Sequence, residues 1–165
     1  MAIIVRALTD NRNRTAPSMR HTFSGYGGSL GETGSVSNFA FDYGGEIHIA
    51  TPEDMDAFEM KILDTDATDY SVVDGEMVIL TARESYTSVR KAIETAGYPI
   101  MSSTLGYRAK NYTEITEMDK ALQIYKMLEE FEANEDVETV WNTADISDTL
   151  WQEVIEFAEK RKFRT

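Results

Sequence analysis

Tyr70-Ser71-Val72-Val73-Asp74-Gly75-Glu76-Met77-Val78-Ile79-Leu80-Thr81 is the stretch that decides the fold. Two apolar, β-branched runs, Tyr70 to Val73 and Met77 to Thr81, flank Asp74-Gly75. A two-residue turn with positive φ favours that pair, so the stretch reads as a β-hairpin. Upstream, Thr51-Pro52-Glu53-Asp54 resembles a capping box with proline at the first helical position, and Met55, Phe58 and Ile62 follow at helical spacing. Before that helix, Glu46-Ile47-His48-Ile49-Ala50 reads as a strand entered through the turn Tyr43-Gly44-Gly45. Downstream, Ser85 begins a helix with Val89, Ile93 and Ala96 on its buried face, Gly97 ends it, and Tyr98 to Leu105 returns as a strand. The order is βαββαβ.

A second set brackets the first. Ile3, Ile4, Val5, Ala7 and Leu8 suit a buried strand, and Asp10-Asn11-Arg12-Asn13-Arg14 suits a loop. Thr15 is then a good N-cap, Pro17 falls near the first helical turn, and Met19, Phe23 and Tyr26 make one apolar face before Gly27-Gly28 stops the helix. Leu30 belongs to a very short strand, and Gly31 and Gly34 turn the chain into another over Val36, Asn38 and Ala40, with Phe39 and Phe41 on its other face. Past the inserted set, Thr116-Glu117-Met118-Asp119 again resembles a capping box, and Met118, Ala121, Leu122, Tyr125 and Leu128 trace a helix. Val137 to Ala144 forms a strand with Val137, Thr139 and Trp141 on one face, and Leu150, Val154 and Phe157 stripe a last helix. Each helix pair needs a sheet face on which to bury its stripe. The expected fold is therefore α+β, two ferredoxin-like βαββαβ domains with the second inserted into the first. The first spans 1–45 and 112–165, including the C-terminal helix, and the inserted one spans 46–111.

The chain has 165 residues, 42% of them hydrophobic, with 16 basic and 29 acidic side chains. A net charge of −13 argues against a chain-wide coat for nucleic acid or anionic membrane, so any such contact is local. Positive charge gathers at one end: Arg6, Arg12, Arg14 and Arg20 face Asp10 alone within residues 1–31. Lys160, Arg161, Lys162 and Arg164 follow a helical pattern, where basic residues complement the helix dipole. Without cysteine there is no disulfide framework, thiolate zinc site or cysteine nucleophile, and His21 and His48 are too few for an all-histidine metal site. No run approaches the roughly 20 apolar residues that cross a bilayer, and the start lacks a secretion signal. A soluble cytoplasmic protein is expected, or one of an organellar matrix in a eukaryote.

Leu8-Thr9-Asp10-Asn11-Arg12-Asn13-Arg14-Thr15, then Arg20-His21-x-Phe23, Gly27-Gly28-x-Leu30-Gly31 and Gly34-Ser35-Val36, resembles the signature of the YebC family. That family includes the mitochondrial translational activator of cytochrome oxidase subunit one. The likeness weakens through the acidic middle and returns at Asp136-Val137-Glu138-x-Val140-Trp141-Asn142. It implies a non-enzymatic regulator of gene expression, since some members are regarded as DNA-binding transcriptional regulators and others as ribosome-associated translation factors. Members open with a basic helical domain, whereas here Met1-Ala2 stands directly against Ile3, so that domain is expected to be missing together with most of the grip on nucleic acid or ribosome. Asp42-Tyr43-Gly44-Gly45 and Gly25 stand where many relatives carry bases, which thins the positive surface further.

The candidate nucleic-acid-binding residues are Asn11, Arg12, Asn13, Arg14, Arg20 and His21. Forked guanidinium donors and amides, set before a helix whose N-terminus adds partial positive charge, suit phosphate. The plainer alternative has Asp10 and the asparagines capping a turn and an arginine pairing with a carboxylate. Gly25 to Gly31 follows a helix rather than a strand, which excludes a dinucleotide cradle. Asp64-x-Asp66-x-x-Asp69 lacks the glycine and final glutamate of a calcium loop, and His48 reads as a surface or satisfied histidine. No catalytic residue, metal ligand or cofactor site is expected. Carboxylate-rich faces suit a basic protein partner, or only solubility. Two alternatives remain, a small-molecule-binding regulatory module and, through Asn11 and Arg12, an acyl phosphate hydrolase.

Overall fold

The computed structural model describes residues 1–162, so Arg164 of the basic tail lies outside the described residues. In chain order its elements begin with β1 (Ile3–Ala7), α1 (Arg12–Gly25), α2 (Ser37–Ala40), β2 (Phe41–Ala50), α3 (Met55–Leu63), β3 (Ala67–Val73) and β4 (Glu76–Ala82). There follow α4 (Tyr86–Thr95), β5 (Ile100–Ala109), β6 (Thr113–Ile115), α5 (Met118–Glu132), β7 (Val137–Asn142), β8 (Ala144–Ile146) and α6 (Asp148–Lys162). They fall into two compact units, Asp42–Arg108 and the two flanking stretches together. The class is α+β with ferredoxin-like order.

In the inner unit Asp74 and Gly75 adopt φ of 50° and 83°, the turn that joins β3 to β4. The sheet runs β3-β4-β2-β5. Antiparallel register sets Ile47 beside Ile79 and Ile49 beside Met77. These four side chains are buried with Phe58 and Ile62 of α3 and Val89 and Ile93 of α4, so both helices cover one sheet face. Gly45 lies against the first residue of α4: an added Cβ would run into the Tyr86 ring and the Thr81 hydroxyl. The cap of α3 differs from the expected Thr51 box. Asp54 is the N-cap and accepts from the Ala57 N–H at 2.9 Å, while the Thr51 hydroxyl donates to the Gly75 carbonyl at 2.8 Å.

Because strand side chains alternate, Glu46 and His48 project from the face opposite Ile47 and Ile49. There His48 bridges two strands, with Nε2 at 2.6 Å from Glu46 and Nδ1 at 2.9 Å from Glu76. The hydrogen bond to Glu46, then that to Glu76, raises the His48 pKa above 6.5 against the opposing effect of burial. A raised folded pKa gives stability that is complete below the unfolded value near 6.5 and is lost as pH rises through the folded value. We expect His48→Gln to cost about 1 kcal/mol at pH 6 and much less at pH 9, read from urea midpoints. An equal deficit at both pH values would contradict a charged bridge.

In the outer unit β1 and β7 pair antiparallel, with α1 and α5 packed against them through Met19, Phe23, Met127 and Phe131. The register shifts between Arg6 and Ala7, so Glu138 is an extra residue in β7. The side chains change face there. Val137 and Val140 both pack on the core cluster, whereas Thr139 and Trp141 meet Arg6. The expected face of Val137, Thr139 and Trp141 is thus corrected by one bulge.

Two expected strands are not formed. Leu30 is irregular, and residues 37–40 make a short helix with Phe39 84% exposed. Gly25, Gly27, Gly28, Gly31 and Gly34 crowd this segment, and glycine lacks the side chain that would hold a strand against a core. A three-residue parallel pair, β6 with β8, was too short to leave a periodic signal. No helix among the described residues is long and apolar enough to cross a membrane.

Candidate nucleic-acid interface

The corner between β1 and α1 starts one turn earlier than Thr15 suggests. Asn11 is the N-cap, and its side chain accepts from the Arg14 N–H at 3.2 Å. Thr15 is therefore inside the helix, and only 4% exposed. Its hydroxyl donates to Asp136 Oδ2 at 2.7 Å and lies 2.7 Å from the Thr9 hydroxyl. Pro17 sits in the helix interior rather than its first turn, which leaves the Asn13 carbonyl without its helical donor.

The six candidate residues divide into two groups. Asn11 and Arg14 hold the corner together: Arg14 Nη2 lies 2.9 Å from Asp136 Oδ1 and 3.3 Å from Asp10 Oδ1. These are the contacts the plainer alternative expects, an asparagine cap and an arginine paired with carboxylates. Asp136 lies 122 positions away in sequence from Arg14, and no local signal announces the pair. Arg12, Asn13, Arg20 and His21 are exposed and make no side-chain hydrogen bond or ion pair with the described residues. Asn13, Arg20 and His21 lie on the helix face away from Met19 and Phe23, as the burial pattern along α1 shows. Leu8, 77% exposed at the strand exit, flanks the same corner and was missed because it read as part of the buried run.

The electrostatics of the corner are unbalanced. The first turn of α1 contains no acid, yet Arg12 and Arg14 stand at the positive end of the helix dipole. Asp136 and Asp10 compensate Arg14. Arg12 has no such partner among the described residues, so an incoming anion finds a guanidinium, the exposed Asn13 amide and a helix N-terminus together. The basic end of α6 is different: Lys160 pairs with Glu156, Lys162 with Glu129 at 2.6 Å, and Arg161 stacks on Phe157. No group of histidine and carboxylate side chains suited to a metal occurs among the described residues.

The hydrogen bond from Thr15, followed by that from Arg14, holds the Asp136 carboxyl below its ordinary range against the effect of burial. A depressed folded pKa gives stability that is complete above the unfolded value and is lost as pH falls through the folded one. Asp136→Asn is thus expected to lower the melting temperature at pH 7 and to flatten the acid limb of a fluorescence titration below about pH 4. An acid limb identical to that of the parent would contradict the anchor.

Residues 1–144 match the family description "TACO1/YebC second and third domain". A probable transcriptional regulatory protein of Thermoanaerobacter pseudethanolicus is 38% identical over 149 residues, covering 89% of this chain and 60% of the relative. One of Stenotrophomonas maltophilia is 40% identical over 148 residues, with 88% and 60% covered. The crystal structure of a conserved hypothetical protein from Aquifex aeolicus superposes with a TM-score of 0.69 at 30% identity, covering 89% of this chain and 60% of that one. The chain thus spans about 60% of the length of the relatives it matches. With the family description matched along residues 1–144 and these identities sustained over nearly nine-tenths of its length, the chain belongs to the TACO1/YebC family, over the part that corresponds to the second and third domains.

Proposed function

We propose that this chain is a non-enzymatic regulator of gene expression that touches nucleic-acid phosphates, on DNA or within a ribosome, through Arg12, Asn13, Arg20 and His21. One observation carries the reading: among the described residues Arg12 and Arg20 are exposed and have no ion-pair partner, in a chain with 29 acidic side chains. The names of the relatives, probable transcriptional regulatory proteins, point the same way. Two cations give modest, salt-sensitive affinity and no reading of base sequence, because phosphate contacts position a protein without specifying bases. The chain spans about 60% of the length of its relatives, and a full-length relative is expected to bind more tightly than residues 1–165 alone.

Neither alternative gains support at this corner. Asn11 spends only its side-chain oxygen on the helix cap, so an acyl phosphate hydrolase is tested by turnover of a simple acyl phosphate that Arg12→Ala abolishes. A small-molecule module would show itself as a ligand-dependent rise in melting temperature. The direct test is fluorescence anisotropy with labelled duplex DNA and single-stranded RNA at low and moderate salt, beside co-sedimentation with ribosomes. Binding that weakens with salt to at least one of the three is expected, and no saturable binding to any of them overturns the reading.

A further inference from the structure

Strand β7 has one edge covered and one bare. Its inner edge pairs with β1, and no other strand of the described residues lies beside it. The Thr143 N–H, just past the strand, donates to the Ala2 carbonyl at 3.0 Å. Counting back in alternate steps, the backbones of Trp141 and Thr139 turn toward β1, and those of Asn142 and Val140 turn outward. Helix α5 passes this bare edge. Between them runs a groove of about 360 Å³, where Leu128 and Glu132 of the helix oppose Val137, Val140 and Asn142 of the strand. The valines are seated on the core cluster, so the groove has a fixed apolar floor.

The rim is acidic. Glu132 is exposed and without a partner among the described residues, and Glu138 also lines the groove, spending one oxygen on Arg6 at 2.8 Å. A second copy of the chain would set these glutamates against their own counterparts, in a molecule of net charge −13. An extended basic segment satisfies both features at once, with backbone groups pairing at the edge and cations meeting the rim. The bulge at Glu138 kinks the strand and ends the pairing surface at that side.

We propose that the outer edge of β7 captures an extended basic peptide of a partner protein, which adds as a strand beside Val140 and Asn142 and places lysine or arginine against Glu132 and Glu138. The surface includes none of Arg12, Asn13, Arg20 and His21, so either proposal can fail without the other.

The probe is a labelled peptide alternating lysine with valine, measured by anisotropy on the intact chain. Two versions are N-methylated at every second backbone nitrogen, in the two possible frames. Strand addition uses alternate N–H groups, so one frame should lose about tenfold or more in affinity while the other is spared. Glu132→Lys should weaken the parent peptide about tenfold, and Arg12→Ala should leave it unchanged. Equal binding of both methylated frames and the parent would show attraction by charge alone and overturn the proposal. So would a dimer in sedimentation that the peptide fails to displace, because the edge would then belong to a second copy.

Discussion

Phe131→Ala is expected to cost about 3–5 kcal/mol and to carry the proposed nucleic-acid contact down with it. Phe131 is fully buried, its ring 5.0 Å from that of Phe23, and the pair with Met19 and Met127 is what seats α1 and α5. Truncation leaves a cavity directly beneath the helix that presents Arg20. The chain has two tryptophans, Trp141 and Trp151, and both lie in the outer unit, so tryptophan fluorescence in a urea titration follows this core. Phe58→Ala provides the matched control. It empties the centre of the inner unit, where Phe58 packs edge-on against Tyr70 and Tyr98, and should cost a similar amount by circular dichroism. At temperatures where both variants remain folded, only Phe131→Ala should weaken nucleic-acid binding. An unmoved fluorescence midpoint would show that the cluster does not hold the unit together.

Arg12→Ala with Arg20→Ala should have the opposite profile, with large effects on binding and almost none on stability. Removing one cation from a phosphate lowers the slope of log affinity against log salt by about 1, so the double variant should be flatter by about 2. Its melting temperature should stay near that of the parent, since surface changes away from structural features usually fall within about 0.5 kcal/mol. Arg14→Ala is the informative partner. It removes the same charge but also the tie to Asp136, so its melting temperature should fall. If Arg12→Ala and Arg20→Ala destabilised the protein as Arg14→Ala does, the three arginines would share a structural role, and the division between tied and free guanidinium groups would be wrong.

Local chemistry was legible wherever one element decided the matter. Asp74-Gly75 announced its hairpin, and Ile47, Ile49, Phe58, Val89 and Ile93 announced the inner core, because strand and helix periods act over a few residues. What sequence reading misplaced came from longer range or from backbone irregularity. Thr15 looked like a cap because the Asp136 carboxylate that occupies its hydroxyl is far along the chain. Strand parity alone sets Val137 and Thr139 on one face; a single extra residue reverses it, and bulges leave no periodic mark. The segment around Leu30 read as a strand from a few apolar residues, although its glycines give such a strand nothing to pack. The candidate site followed the same pattern: the charge concentration was visible, but which arginines are tied and which are free depended on partners that only the fold brings close.

The central claim is that α1 carries the nucleic-acid contact, through Arg12, Asn13, Arg20 and His21. Titrating the isotopically labelled chain with a short RNA, and following backbone amides and arginine side chains by NMR, tests it most directly. The account predicts salt-sensitive shifts concentrated at Leu8, Arg12, Asn13, Arg20 and His21. Shifts gathered instead around Lys126 and Lys160, or an unperturbed spectrum at low salt, would contradict it.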